Sequence, residues 1–229
     1  MNRLLKLVLP SIGLVSLAII LFSLGCGGSG GTKFRVMNAV IDESSVDVLL
    51  DNAKVATQAY GVPPAYISIT SGSRHLQIEA TGSSTPFIDQ MVSISSGNNY
   101  TVVAANFSSD HDALVLNDQN STPASGDIAI RVVNVSPSMG AADVYIVPST
   151  TDINTVNATI SDLAFGGVSN YQQLSAGSYV VVFTTPANGG KFQQINSGTL
   201  GLTAGQVRTV VALNTQAGAF TDAVLADLN

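Results

Sequence analysis

The chain has 229 residues, 45% of them hydrophobic and only 10% charged, with fifteen acidic side chains against nine basic ones and a net charge of −6. No cluster of Lys and Arg is present that could displace counterions from a phosphate backbone, so a nucleic-acid binder is excluded. One cysteine rules out an intrachain disulfide and a Cys-rich zinc site, and two histidines leave little for a His-based centre; no metal or other cofactor is expected.

The chain opens with Arg3 and Lys6, followed by an uncharged run, Leu7–Leu24, and then Gly25-Cys26. A positive start, an apolar stretch and a small residue before the cut describe a secretory signal over residues 1–25. The cysteine directly after that small residue resembles a bacterial lipobox. In such a motif the thiol is acylated with diacylglycerol, a palmitate-type anchor, and cleavage makes Cys26 the first residue. The other reading is an uncleaved membrane anchor, which Pro10 and Gly13 weaken as a helix. Both readings place the remainder outside the cytoplasmic membrane. Cleavage would remove Arg3 and Lys6, leaving seven basic against fifteen acidic residues, a net charge of −8. Attachment to anionic lipid would therefore come from the acyl chains and not from charge. Gly27 follows Cys26 where Asp would resemble an inner-membrane retention signal, which favours the outer membrane in a cell with two.

Gly27-Gly28-Ser29-Gly30-Gly31 matches the G-x-S-x-G of a hydrolase nucleophile elbow. That chemistry needs a strand before the serine and a helix after it, and neither is expected here. Residues 26–33 read as a Gly-rich tether.

Beyond the tether the sequence repeats. Phe34-Arg35-Val36-Met37-Asn38 recurs as Ile130-Arg131-Val132-Val133-Asn134, and Val46-Asp47-Val48 as Ala142-Asp143-Val144. Tyr60-Gly61 matches Phe165-Gly166, Tyr66 matches Tyr171, and Gly72-Ser73 matches Gly177-Ser178. Gly97 and Val102-Val103 match Gly205 and Val210-Val211. The offset drifts, as it does when loops of duplicated domains change length. The copies span 34–119 and 127–229, joined by a polar linker at 120–126, and each has the size of an independent domain.

Within each copy the period is mostly two. Leu76, Ile78 and Ala80 alternate with His75, Gln77 and Glu79, and Ile88, Val92 and Ile94 sit opposite Asp89, Met91 and Ser93. Tyr179–Thr184 is a continuous β-branched run, as in a buried strand. Asp152–Leu163 carries apolar residues at helical spacing, but its β-branched content fits a short strand or irregular segment equally. Turn signals every 8–15 residues predict an all-β chain of two tandem Ig-like antiparallel β-sandwiches.

Arg131–Pro137 (Arg-Val-Val-Asn-Val-Ser-Pro), Ala142-Asp143-Val144-Tyr145, Phe165–Tyr171 and Leu174–Tyr179 resemble the DUF4397 family, a domain of unknown function common in bacterial exported proteins. The resemblance covers both copies and is closer in the second. It implies tandem exported β domains and no established reaction. Members often carry His where this chain has Asn38 and Asn134.

Asn38 and Asp47 in the first copy, with Asn134 and Asp143 in the second, are the candidate ligand-binding residues: a polar pocket, repeated in each copy, for a sugar or a cation. The alternative is that the carboxylates accept turn or strand-edge N–H groups and only hold the fold. Asp110-His111-Asp112 with Asp118 is the densest acidic and imidazole cluster. It lacks EF-hand spacing and reads as a solvated loop. The pairs Tyr60/Phe165 and Tyr66/Tyr171 read as sugar-stacking platforms or as core anchors. No Ser-His-Asp, metal or paired-carboxylate signature repeats, so no catalytic residue is assigned. The expected function is a membrane-anchored, non-catalytic binding, adhesion or structural module of the cell envelope. Its partners would be envelope polysaccharide or another envelope protein. The alternatives are an envelope-directed hydrolase and a pure scaffold.

Overall fold

The computed structural model describes residues 31–187 and 190–229. The signal segment, Cys26 and Ser29 lie outside the described residues. The first copy contributes β1 (Lys33–Val40), β2 (Ser45–Leu50), β3 (Ala53–Ala59), β4 (Ile67–Ser68), β5 (Gly72–Ala80), β6 (Pro86–Ile94), β7 (Asn99–Phe107) and β8 (Asp110–Asp118). The second contributes β9 (Asp127–Asn134), β10 (Ala142–Pro148), a 3-10 turn at Ile153–Thr155, β11 (Ile160–Leu163), β12 (Gln172–Ser175), β13 (Gly177–Ala187), β14 (Gly190–Asn196), β15 (Leu200–Leu202), β16 (Val207–Asn214) and β17 (Phe220–Leu228). Among the described residues no helix is long and apolar enough to cross a membrane.

Each copy is a sandwich with the same connectivity. An outer sheet runs β3-β2-β5-β6 in the first copy and β11-β10-β13-β14 in the second, where β15 also pairs with β13. An inner sheet runs β4-β1-β7-β8 and β12-β9-β16-β17. Most pairs are antiparallel, but β1 lies parallel to β7 and β9 parallel to β16. The chain leaves β1 for the outer sheet and re-enters β7 from the end at which β1 began, with Lys33 opposite Asn99.

The four sheets stack as layers, outer, inner, inner, outer. Phe34, Val36, Val48, Ile78 and Val102 fill the first sandwich, and Ile130, Val132, Val144, Phe183 and Val210 fill the second. A third apolar cluster lies between the inner sheets, drawing Met37, Val103 and Leu116 from one copy and Val133, Leu213 and Leu225 from the other. The central inner strands β1, β7, β9 and β16 are therefore buried on both faces: seven of the eight residues of β1 are buried, against a strict alternation in β6 from Ile88 to Ile94 apart from the half-buried Gln90.

Two sequence readings are resolved in space. Asp152–Leu163 forms no α-helix but a 3-10 turn and the short strand β11, the alternative its β-branched content allowed: Ile153 and Val156 pack on the outer face of the second outer sheet, while Ile160 and Leu163 belong to the sandwich core. Asp110-His111-Asp112 is not a loop but the exposed start of β8, and Asp118 lies at the far, buried end of that strand.

Candidate functional site

Asn38 lies two residues before the end of β1 and Asn134 ends β9, and both are fully buried. The Asn38 Oδ1 accepts from the Val40 N–H at 3.0 Å, and its Nδ2 donates to the carbonyls of Glu43 at 3.0 Å and Gln58 at 3.4 Å. Asn134 repeats the bracket, accepting from Ser136 N–H at 3.1 Å and donating to Gly140 at 2.8 Å and Leu163 at 2.9 Å. Each amide thus ties an inner-sheet strand to the turn that follows it and to the outer sheet. The backbone carbonyls of the same residues accept from Gly61 and Gly166, both at 2.8 Å. Those glycines have φ of +68° and +73°, a left-handed turn that explains their match in the repeat.

Asp47 sits in the outer sheet and shares none of these partners. It pairs with Lys54 at 2.8 Å and accepts from the hydroxyls of Thr57 at 2.7 Å and Thr81 at 3.3 Å. The hydrogen bonds from Lys54 and then Thr57 hold its carboxyl below the usual range. Asp143 instead accepts from the Asp162 N–H at 3.0 Å. The structure therefore does not gather the four residues into a repeated pocket; both asparagines brace backbone, Asp47 is spent on neighbouring side chains, and Asp143 on a strand-edge N–H.

His75 reaches Asp89 at 2.5 Å on the exposed outer face of the first copy. His111 approaches the Ser108 carbonyl at 3.4 Å. Among the described residues no three His, Cys, Asp or Glu side chains are placed to hold a metal ion.

The dense polar assembly lies elsewhere, sealed between the inner sheets. Arg35 in β1 donates through Nε to the Thr101 hydroxyl at 2.7 Å, through Nη1 to the Ala226 carbonyl at 2.8 Å, and through Nη2 to the Asp227 carboxylate. Arg131 in β9 does the same in reverse, to Thr209 at 3.0 Å, the Asn117 carbonyl at 3.1 Å and Asp118 at 2.5 Å. Each arginine therefore pairs with the last strand of the other copy. Asp118 also accepts from the Tyr66 and Thr101 hydroxyls, both at 2.6 Å, and Asp227 from Tyr171 at 2.8 Å and Thr209 at 2.5 Å. Tyr66 and Tyr171 lie under the guanidiniums of Arg35 and Arg131, at 4.1 and 4.6 Å from the ring centroids. The four charged side chains are 4% exposed or less. Burial, then the neighbouring Asp118, pushes Asp227 up against the opposing pull of Arg35, Thr209 and Arg131. Burial and an adjacent carboxylate likewise push the Tyr66 and Tyr171 phenols far above their ordinary value.

The other matched aromatics sit on the same seam. Tyr60 and Phe165 pack against its apolar cluster, and the Tyr60 hydroxyl donates to the Asn214 carbonyl of the second copy. What the repeat alignment missed is the acid partner of each arginine. Val115-Leu116-Asn117-Asp118 and Val224-Leu225-Ala226-Asp227 repeat V-L-x-D near the end of each copy, and that signal would have found both.

Fold and seam together define a class: a tandem β-sandwich protein whose repeated charges join one copy to the other. The chain belongs to the DUF4397 family, described as a domain of unknown function, whose model matches residues 32–145 and 147–229. The break between these matches falls within β10, whereas the structure changes sandwich between β8 and β9. No curated protein matches the chain. Among solved structures, one titled "Alpha-glucan binding by a streptococcal virulence factor" is similar at 8% identity and a TM-score of 0.27, covering 83% of this chain and 96% of that one. A leucine-rich repeat protein from Bacteroides thetaiotaomicron is similar at 11% identity and a TM-score of 0.21, over 81% of this chain and 26% of that one. Likenesses this low carry no argument about fold or ligand.

Proposed function

We propose that the chain is a lipid-anchored cell-envelope protein whose fused sandwiches serve as a non-catalytic binding or structural module. One observation carries the reading: the arginines repeated in both copies, and the aspartate near the end of each copy, are consumed by each other in the buried seam. A duplicated enzyme repeats its reacting groups and leaves them facing a pocket that substrate can enter. Here Arg35, Arg131, Asp118 and Asp227 face the partner copy, and neither His75 nor His111 has a counterpart in the second.

The anchor rests on Cys26 and the segment before it. The fold begins at Thr32, whose hydroxyl accepts from the Gly97 N–H at 3.0 Å. From Cys26 to Gly31 six residues of chain span at most about 20 Å. Such a tether holds the start of β1 close to the bilayer, in an outer membrane where the cell has one. Envelope polysaccharide or another envelope protein would meet the exposed outer sheets. The test is metabolic labelling with a palmitate analogue, together with assays of the purified chain on envelope glycans and peptides. Label lost in Cys26→Ala, and no turnover by the parent chain, is the expected result. Unchanged labelling, or turnover that His111→Ala abolishes, would overturn the reading.

A further inference from the structure

The two copies differ most on their outer faces. In the first, β2 and β3 are joined by a tight turn at Asp51–Asn52, and the face beyond carries half-buried His75 and Gln77 beside exposed Asp89. In the second, residues 149–159 separate β10 from β11 and fold back as a flap, setting Ile153, Val156 and Ala158 on Tyr145, Val147 and Val182. Lys191 of β14 pins the flap. Its Nζ donates to the carbonyls of Ile153 at 2.5 Å and Val156 at 2.6 Å and lies 4.6 Å from the Tyr145 ring centroid.

The flap covers the apolar strip in part. Between it and strands β13 and β14 runs an open groove of about 390 Å³, with Val180 and Val182 on its floor and Ser149, Thr151, Asp152, Gln193 and Asn196 among its walls. That volume is within the range of small-molecule clefts, roughly 300–1,000 Å³.

The chemistry of the walls selects the ligand. Asn196 uses its carbonyl oxygen to accept from Gly198 N–H at 2.9 Å, which leaves its NH₂ for a ligand. Asp152 accepts through Oδ1 from the Asn154 N–H at 2.9 Å and its Nδ2 at 3.0 Å, which leaves Oδ2. Ser149, Thr151 and Gln193 add hydroxyls and an amide that make no side-chain hydrogen bond among the described residues. Lys191 also lines the groove, and the neutral flap carbonyls it bonds leave its charge in place, so Lys191 and Asp152 bring the lining to no net charge. An anion gains no net attraction from such a lining and meets the Asp152 carboxylate, and a wholly apolar ligand would strand the amides. Interleaved donors and acceptors over an apolar floor suit a ring that carries several hydroxyls on a hydrocarbon face.

We propose that this groove of the second copy, formed by a flap that the tight turn at Asp51–Asn52 replaces in the first, binds a neutral saccharide chain. The proposal rests on the reading of the chain as a binding module and adds its site and ligand class. The experiment titrates the full chain in detergent micelles with maltotetraose, cellotetraose and, as an anionic control, tetragalacturonate, read by calorimetry. Saturable binding of at least one neutral tetrasaccharide and none of the anionic one is expected. Gln193→Ala with Asn196→Ala, both exposed and outside the cores, should weaken it at least tenfold, while Gln77→Ala in the first copy leaves it unchanged. Circular dichroism of each variant verifies the fold. No neutral binding, tighter anionic binding, or a double variant that binds like the parent would overturn the proposal. Labelling at Cys26 is read separately, so a failed groove with an intact anchor overturns this site and leaves the proposed anchor standing.

Discussion

Arg131 places one charge against Asp118 with both side chains 4% exposed or less, and every polar atom around the pair is taken by a threonine, a tyrosine or a carbonyl. Removing one member leaves the other charged and buried, which costs about 3–5 kcal/mol. Arg131→Ala should therefore lower urea-unfolding stability by that order, and a cycle with Asp118→Ala should show strong coupling. The tyrosines give a second handle. Their folded values lie above the ordinary 10.0, with Tyr60 pushed by burial to about 12, so the folded state favours the neutral phenol. That contribution is fully present below about pH 10 and is lost as pH rises from there through the folded values. Stability should fall steeply above pH 10, with tyrosinate absorbance from Tyr66 and Tyr171 appearing only on unfolding. Tyr66→Phe with Tyr171→Phe should flatten the fall. At this scale the sequence showed the matched arginines and tyrosines but not their acids. Asp118 looked like part of the Asp110-His111-Asp112 cluster because nearness in sequence hides that a strand carries its two ends far apart.

At the scale of elements, the period-two reading holds where one face is wet and fades where both are dry. Leu76 and Ile78 alternate with half-buried His75 and Gln77, whereas in β1 and β9 the residues between core positions face another apolar surface. The arginine in each of those strands was the visible sign of a polar site inside the second face. Asn38 and Asn134 were legible as a matched pair but not as braces, because their partners, Gln58 and Leu163, belong to strands of the other sheet. Asn134→Ala would leave two buried backbone groups unpaired, the Ser136 N–H and the Leu163 carbonyl, at about 1–3 kcal/mol each before relaxation. A drop in melting temperature should accompany it, with protection lost first at the Ser136 amide, whose N–H Asn134 accepts, in hydrogen-exchange experiments. The flap was read ambiguously for a related reason. Ile153 and Val156 serve one apolar cluster and Ile160 and Leu163 another, so their helical spacing reflects two surfaces of one sheet and no helix face.

For the whole molecule, copy length pointed to two independent domains, and the structure makes them one body with three stacked cores. Length measures how much chain can bury a core but not how many faces a strand must cover. Splitting the copies would expose Met37, Val103, Val133 and Leu213 and leave two arginines and two carboxylates without partners. A fused body also lets a short tether fix the position of both outer sheets at once, which two beads on a flexible linker would not. The chain has no Trp, so single reporters can be placed at half-buried Phe87 in the first sandwich and Phe220 in the second. Equilibrium urea unfolding of Phe87→Trp and Phe220→Trp, followed by fluorescence and compared with circular dichroism, tests the fusion most directly. Coincident curves with one midpoint are predicted; two separate transitions, each copy unfolding on its own, would contradict it.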